Sequence, residues 1–454
     1  MASAFPESRV VKIWQDCLPG RADLVTEDEG PIEIVYPGRL NDDRGADLRD
    51  AVIATGRGLQ KGDIEVHVKS SSWWGHRHHQ DPLYNRVILH VVYWHDVETA
   101  VTLQNGQKVP TLALRKYVEL PAGRDIKPVY PLDRQPMPCR DAVGRRGKNF
   151  IFGILDAAGD QRFFARVADF REALTQTGAS QVLYRGIMEA LGYAKNKVPM
   201  IELAGRMPLS RLTGAASGET PDDECLAQYQ ALLMGTAGLL PSPRVGRHRA
   251  GDSAESWLER LEKAWADFGQ TAAMSAGDWY SFKVRPSNFP RRRLAAMSYL
   301  LLRYRAKGLL EGLIHELAKA SSETGINTLE KSLLVSAEGY WSGNMDFGLP
   351  AGRVAPALLG KSRVGVILVN VLLPFTVAWG RVESRPELAE KASEIYHRYP
   401  ALIDNALEKH MECQLGINRC LVNSARRQQG LIHVYKTLCS QGKCGDCPMN
   451  QPDD

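Results

Sequence analysis

The chain has no long uninterrupted hydrophobic run. Its most apolar stretch, Val364 to Trp379, is broken by Asn370 and Pro374 and falls short of the roughly 20 residues that a membrane span needs, so it reads as a buried core helix. A basic segment followed by an apolar one is also missing from the first residues. There, Glu7 to Cys17 reads as a short amphipathic helix that ends near Gly20. A cytoplasmic protein without membrane contact is therefore expected. Internal repeats and extended low-complexity tracts are lacking too. Charge of one sign is scarce, the formal net charge being +5 over 454 residues, which permits a nucleic-acid partner, DNA or RNA, without demanding one. Cysteine is sparse and uneven: of eight, five (Cys413, Cys420, Cys439, Cys444 and Cys447) fall in the last 42 residues. A disulfide framework spread over a secreted domain does not look like that, and a metal site does.

What is present is ordinary globular composition, 44% hydrophobic and 24% charged, in a chain long enough for two or three domains. From Pro31 to Leu120 the pattern is strand-like, with β-rich runs at 32–36, 50–55, 63–69 and 87–94 and a hairpin turning at Asn105-Gly106 between 100–104 and 107–114. Prolines at 121, 128, 131, 136 and 138 make a stiff connector. Beyond it, one short β-like passage (150–155 and 161–167) precedes apolar segments of helical period at 181–193, 223–238, 254–268, 291–305, 308–321, 364–379, 386–398 and 401–412. The expected class is α+β: a mostly antiparallel sheet domain over 1–120, the connector at 121–140, a helical domain over 141–412 and a cysteine module over 413–454.

Chemistry concentrates between Lys61 and Asp96, which holds six of the eleven histidines: His67, His76, His78, His79, His90 and His95. From Asp63 to Lys69 polar and apolar residues alternate strictly. On a strand, Asp63, Glu65, His67 and Lys69 therefore share one face while Ile64, Val66 and Val68 share the other. Imidazoles in this number, with Glu65 and Asp81, can supply a zinc, iron or manganese site; His78 and His90 are candidate ligands, and His78 and His79, as neighbours, cannot both face one metal on a strand. His90 lies in the apolar run VILHVVYW, where a core histidine fits as well as a ligand. Trp73 and Trp74 could stack on unpaired bases, but closing the end of the sheet is the expected role.

At the far end, LCSQGKCGDCPMN places Cys439, Cys444 and Cys447 in a C-x4-C-x2-C-Pro run with glycines between, a spacing used by zinc and by iron–sulfur sites. The fourth ligand is open among Cys420, Cys413 and Cys139. Arg285, Arg291, Arg292 and Arg293 surround a helix start, where the helix dipole disfavours cations, so they are candidates for an anionic partner such as a nucleic-acid backbone. Arg140, Arg145, Arg146 and Lys148, and the loop Arg244, Arg247, His248 and Arg249, form two further basic clusters.

Several phrases carry a resemblance: GADLRDA, GDIEVHVKSSSW, HRHHQDPLYNRVILHVV, LYRGIMEALGYAKNK, LLMGTAGLLP, RPSNFPRRRLAAM, VNVLLPFTVAWG and the terminal cysteine run. Together they resemble the bacterial family catalogued as domain of unknown function 2851 over nearly the whole chain. Within the sheet region, Asp47 or Asp50 followed by Glu65 and Lys69 is similar to the metal-dependent nucleases known by the PD-(D/E)xK signature. That resemblance implies carboxylate ligands for Mg²⁺ (or Mn²⁺) and a role for Lys69 or His67 in handling the proton of an attacking water. The chain departs from the signature in having His67 two positions after Glu65, with Lys69 two further on, and Ala46 before Asp47. A four-iron (4Fe-4S) cluster at the cysteines, instead of Zn²⁺, would fit the nucleases of this type that carry such a cluster as a staple. Three functions are thus expected in competition: a metal-dependent nuclease, a non-catalytic nucleic-acid-binding or scaffold protein with a structural metal, and a histidine-site metalloenzyme acting on a small molecule.

Overall fold

The computed structural model describes residues 6–450 apart from 20, 22, 29, 120–126, 129–138, 141, 216–219, 241–251, 270–273, 321–324 and 353–354. Most of the proline connector and the loop of Arg244 to Arg249 thus lie outside the described residues. Helix α1 (Glu7–Cys17) is followed by strands β1 (Leu24–Val25), β2 (Pro31–Tyr36), β3 (Arg39–Leu40), β4 (Leu48–Thr55) and β5 (Gly58–Lys69). Next come the short helix α2 (Ser72–Gly75), two 3-10 turns at His78–Gln80 and Pro82–Tyr84, β6 (Val87–Trp94), β7 (Val101–Thr102), β8 (Lys108–Val109) and β9 (Thr111–Ala113).

The main sheet runs β1-β2-β4-β5-β6-β9, with β3 beside β4. Pairing is antiparallel as far as β5, then parallel for β5–β6 and β6–β9, so the sheet is mixed and not only antiparallel. The expected hairpin forms, as β7 with β8, and β9 continues from it into the main sheet.

Alternation decides what each face of the sheet meets. Ile64 and Val66 of β5, with Leu89 and Val91 of β6, are buried in one cluster with Val10, Ile13 and Trp14 of α1. The opposite face of β5 therefore turns Glu65 and His67 away from α1, toward the segment that crosses from β5 to β6. A β-bulge interrupts β4: Leu48 pairs Ile64 and Ala51 pairs Gly62, three residues of advance against two. Asp50 takes up the extra length with φ of 60°, and Leu48, Ala51 and Ile53 all reach the α1 cluster.

Two compact units emerge. The first comprises 1–160, 404–423 and 427–454; the second comprises 161–403 and 424–426. The sheet unit is therefore larger than the 1–120 expected from the sequence, and it includes the terminal cysteine residues. The physical reason is a shared core: Tyr36 and Val52 of the sheet are buried in one cluster with Met411, Leu431, Tyr435, Cys439 and Cys447.

The remaining helices are α3 (Ala142–Arg146), α4 (Lys148–Gln176), α5 (Ala179–Leu191), α6 (Lys197–Arg206), α7 (Leu209–Ala215), α8 (Asp222–Thr236), α9 (Asp252–Asp267), α10 (Pro290–Arg303), α11 (Leu309–Lys319), α12 (Gly325–Leu333), α13 (Tyr340–Gly343), α14 (Lys361–Ile367), α15 (Leu373–Val382), α16 (Pro386–Arg398), α17 (Ala406–Leu415) and α18 (Ala425–Thr437). The β-like passage at 150–155 and 161–167 is instead part of the 29-residue α4; short apolar runs do not distinguish a strand from a buried helix turn. The apolar stretch is a core element: of the most apolar window in Lys361–Val382, long enough to cross a membrane, 83% is buried. A π-helical turn at Leu368–Leu372 leads into Pro374, which cannot donate to the helical ladder.

Gly62 fixes the distance between β5 and β6. A Cβ there would come within 2.4 Å of the Arg86 carbonyl and of Ile88. Gly62→Ala is expected to cost about 1–3 kcal/mol, as overpacking does; unchanged urea unfolding would show that the strands can part at no cost.

Candidate functional site

On the polar face of β5, Glu65 and His67 are two residues apart and both buried. The Asp47 backbone N–H donates to Glu65 Oε2 at 3.1 Å, and Val66 N–H donates to Asp47 Oδ2 at 3.1 Å. The two carboxyls are thus fixed side by side by adjacent strands. Helix α2 and the turn after it return two histidines to this face. His76 Nδ1 stands 3.1 Å from His67 Nε2, and His78 Nε2 stands 3.1 Å from Glu65 Oε1. Glu65 Oε1 is in turn 3.4 Å from His67 Nε2. Ligand atoms of His67, His76 and His78 all lie within 4.8 Å of one another.

Those separations suit hydrogen bonds, and they also suit the donors of one metal ion. With bonds of about 2.0–2.1 Å to nitrogen or oxygen, neighbouring donors of a tetrahedral centre are roughly 3.3 Å apart. Three donor pairs, at 3.1, 3.1 and 3.4 Å, match that edge. His76 is exposed while Glu65, His67 and His78 are buried, so the set opens to solvent on the His76 side.

Behind it, His90 pairs with Glu65 in the β5–β6 register and is fully buried. Its Nε2 is 2.9 Å from His67 Nδ1, which leaves His67 Nε2 for the site. Histidine ligands are commonly held this way through their second nitrogen. The His90 ring also packs on Trp73, centroids 5.3 Å apart, as does the His78 ring. Trp73 has no exposed surface and donates its indole N–H to the Thr102 carbonyl, so it closes the sheet as expected. Tyr84 covers His78 with ring centroids 3.9 Å apart.

Burial shifts Asp47, Glu65, His67, His78 and His90 toward their neutral forms. It pushes Asp47 up to about 7, helped by the neighbouring Glu65, and pushes Glu65 up to about 8. It also holds His67 down at about 2, with His90, His78 and His76 nearby, and His90 at about 3. Among the described residues no lysine or arginine pairs with Asp47 or Glu65; the ion-pair partners of Glu65 are His67 and His78.

The remaining sequence candidates divide clearly. Asp50 is separate from Glu65: it accepts from the Tyr435 hydroxyl at 2.8 Å and from Arg86 at 3.4 Å, and it lies 3.7 Å from Arg39. The bulge in β4 is what sends Asp47 and Asp50 to different partners. Lys69 is exposed at the end of β5 and has no polar contact with Asp47 or Glu65 among the described residues. His79 turns away from His78, onto the Trp74 ring at 4.6 Å. His90 supports His67 and is outside the ligand trio. Sequence reasoning counted His76 among the histidines without singling it out; its signal was a place nine residues after His67, which only a return of the chain makes useful.

Arg291, Arg292 and Arg293 are engaged within the protein. Arg292 is fully buried and donates to the backbone carbonyls of Trp341, Asn344 and Pro356. Arg293, 4% exposed, is spent on Leu358, Ser287 and Asn288. Arg291 bonds the Leu239 carbonyl and pairs with Asp346 at 3.0 Å. Their position at a helix start serves to tie down loops that lack their own backbone partners; only Arg285 stays exposed.

Four cysteines approach one another elsewhere in this unit: Cys139, Cys439, Cys444 and Cys447 line a single cavity with Leu438 and Asn450. Cys413 and Cys420 are exposed and do not line it. Of the three residues left open beside the terminal run, it is Cys139 that lines the cavity.

A family model described as a protein of unknown function (DUF2851) matches residues 7–404. The chain belongs to the DUF2851 family. No curated protein and no solved structure matches it. The matched span contains the whole histidine and carboxylate cluster of this DUF2851 chain and stops before Cys439.

A pH dependence follows for the metal-free protein. Glu65 has a folded pKa above its ordinary 4.5, so its contribution is full below about 4.5 and is lost as pH rises through about 8. The histidines, with lowered pKa values, act oppositely but only below their ordinary 6.5. Between pH 6.5 and 8 the carboxyls dominate, and stability in chelator is expected to fall by up to about 1.4 kcal/mol per pH unit for each. Denaturant unfolding of Glu65→Gln should show a shallower slope; equal slopes would refute the assignment.

Proposed function

We propose that the sheet unit is a metal-dependent hydrolase centre, with His67, His76, His78 and Glu65 holding one divalent transition-metal ion and Asp47 completing its carboxylate side. The observation that carries this reading is the set of three donor separations between 3.1 and 3.4 Å. Three imidazoles to one carboxylate suit zinc, iron or manganese, whereas magnesium prefers oxygen donors; of the ions first expected, Mn²⁺ is favoured over Mg²⁺. Such an ion supplies Lewis acidity and a more acidic water.

The chain's own groups supply the rest. Hydrogen bonds from Asp47 N–H and Val66 N–H orient the two carboxyls, and His90 fixes the His67 ring. Trp73 and Tyr84 exclude water from the buried side. The substrate class proposed is a phosphodiester, DNA or RNA. Its support is the order of the carboxylates, Asp47 at the entry to β4 and Glu65 eighteen residues later on the adjacent strand, with exposed Lys69 and Arg77 bounding the same segment. His67 then stands where the similar nucleases carry lysine.

Full-length protein loaded with Mn²⁺ or Zn²⁺ is expected to nick plasmid DNA or cut single-stranded DNA or RNA, with Glu65→Gln and His76→Ala lowering the rate by about 100-fold or more. His90→Phe, outside the ligand set, is expected to weaken metal binding by about 10–100-fold. Metal binding without cleavage of any of these polymers would move the assignment to a small-molecule substrate, which the histidine-rich donor set also suits. Absence of bound metal at the histidines would end both readings.

A further inference from the structure

We propose that Cys139, Cys439, Cys444 and Cys447 ligate a four-iron iron–sulfur cluster, and that Cys413 and Cys420 take no part in it. The four thiols come from two places about 300 residues apart and line one cavity. Cys139 lies just before α3, while the other three occupy the turns that follow α18, where Gly442 adopts φ of 68°. The Gln414 amide stands 3.1 Å from the Cys139 sulfur and 3.7 Å from the Cys439 sulfur, a hydrogen-bond donor set to face thiolates. Asn450 caps the loop through the Cys444 carbonyl at 3.1 Å.

The spacing of the sulfurs decides between a cluster and a single ion. Zinc–sulfur bonds of about 2.3 Å put the corners of a four-thiolate zinc site roughly 3.8 Å apart. Among the described residues the three-donor group drawn within 4.8 Å is the histidine trio; the thiols are set wider, around the cavity. A cluster, whose irons each take one cysteine, holds its thiolates further apart than one zinc ion does.

This site also has a mechanical consequence. The cysteine turns rest on β4 and β5: a Cβ on Gly442 would lie 2.8 Å from Val52, Lys61 bonds Gln441 at 2.9 Å, and Tyr435 holds Asp50. The cluster therefore fastens the end of the chain to the strand that begins beside Asp47. It stands or falls independently of what the histidine centre turns over.

Full-length protein purified without oxygen is expected to contain about four iron and about four acid-labile sulfide per chain, with broad visible absorbance. Cys139→Ser should lose most of the iron and the absorbance, whereas Cys413→Ser and Cys420→Ser keep both. Because Cys139→Ser could fail to fold, the metal and sulfide content of the unaltered protein is a separate criterion. One zinc without sulfide, no metal at the cysteines, or loss of the cluster in Cys420→Ser would each overturn the proposal.

Discussion

The parallel pairing of β5 with β6 is the constraint on which the rest of the sheet unit depends. A parallel partner cannot be reached by a tight turn, so the chain must travel from the end of β5 to the start of β6. That crossing segment is the one that carries Trp73, His76, His78 and Tyr84 back over the polar face. Gly62 allows the two strands to approach, and the register then sets His90 beside Glu65 and directly behind His67. An antiparallel hairpin at this point would have left the histidines on a distal turn.

Burial gives the cluster its chemical character. Carboxyls that resist ionisation and imidazoles that resist protonation are costly in a folded protein unless something compensates. In a structural ion-pair network a cationic side chain does so; here Arg86 and Arg39 are engaged with Asp50 instead. The nitrogens of His67 and His78 stand 3.4 and 3.1 Å from Glu65 Oε1, and the cation proposed above would offset the desolvation of these groups together.

The two candidate metal sites differ in kind. The histidine set opens to solvent at exposed His76, as the proposed catalytic role requires. The cysteine set is largely enclosed and joins distant parts of the chain, as structural sites do. Both act on β4, one through Asp47 at its start and the other through Val52 and Asp50, so the strand with the bulge is held from two directions.

Alternation from Asp63 to Lys69, the apolar periods of the helices and the histidine density between Lys61 and Asp96 were legible because they arise from local geometry and composition. They placed the helices at 181–193, 223–238, 254–268, 291–305, 308–321 and 386–398 within a few residues of where they lie and drew attention to the segment in which Glu65, His67 and His78 meet. Other features depend on contacts between positions far apart in sequence. The bulge that separates Asp47 from Asp50 comes from pairing with β5, and the burial of Arg292 and Arg293 comes from loops more than 45 residues downstream. The placing of Cys139 beside Cys439 and Cys447 follows from a core shared by distant parts of the sheet unit. By itself the sequence determined which side chains could do chemistry; only the tertiary structure decided which of them meet, because distances across a fold are set by strand register and packing and leave no periodic trace in the chain.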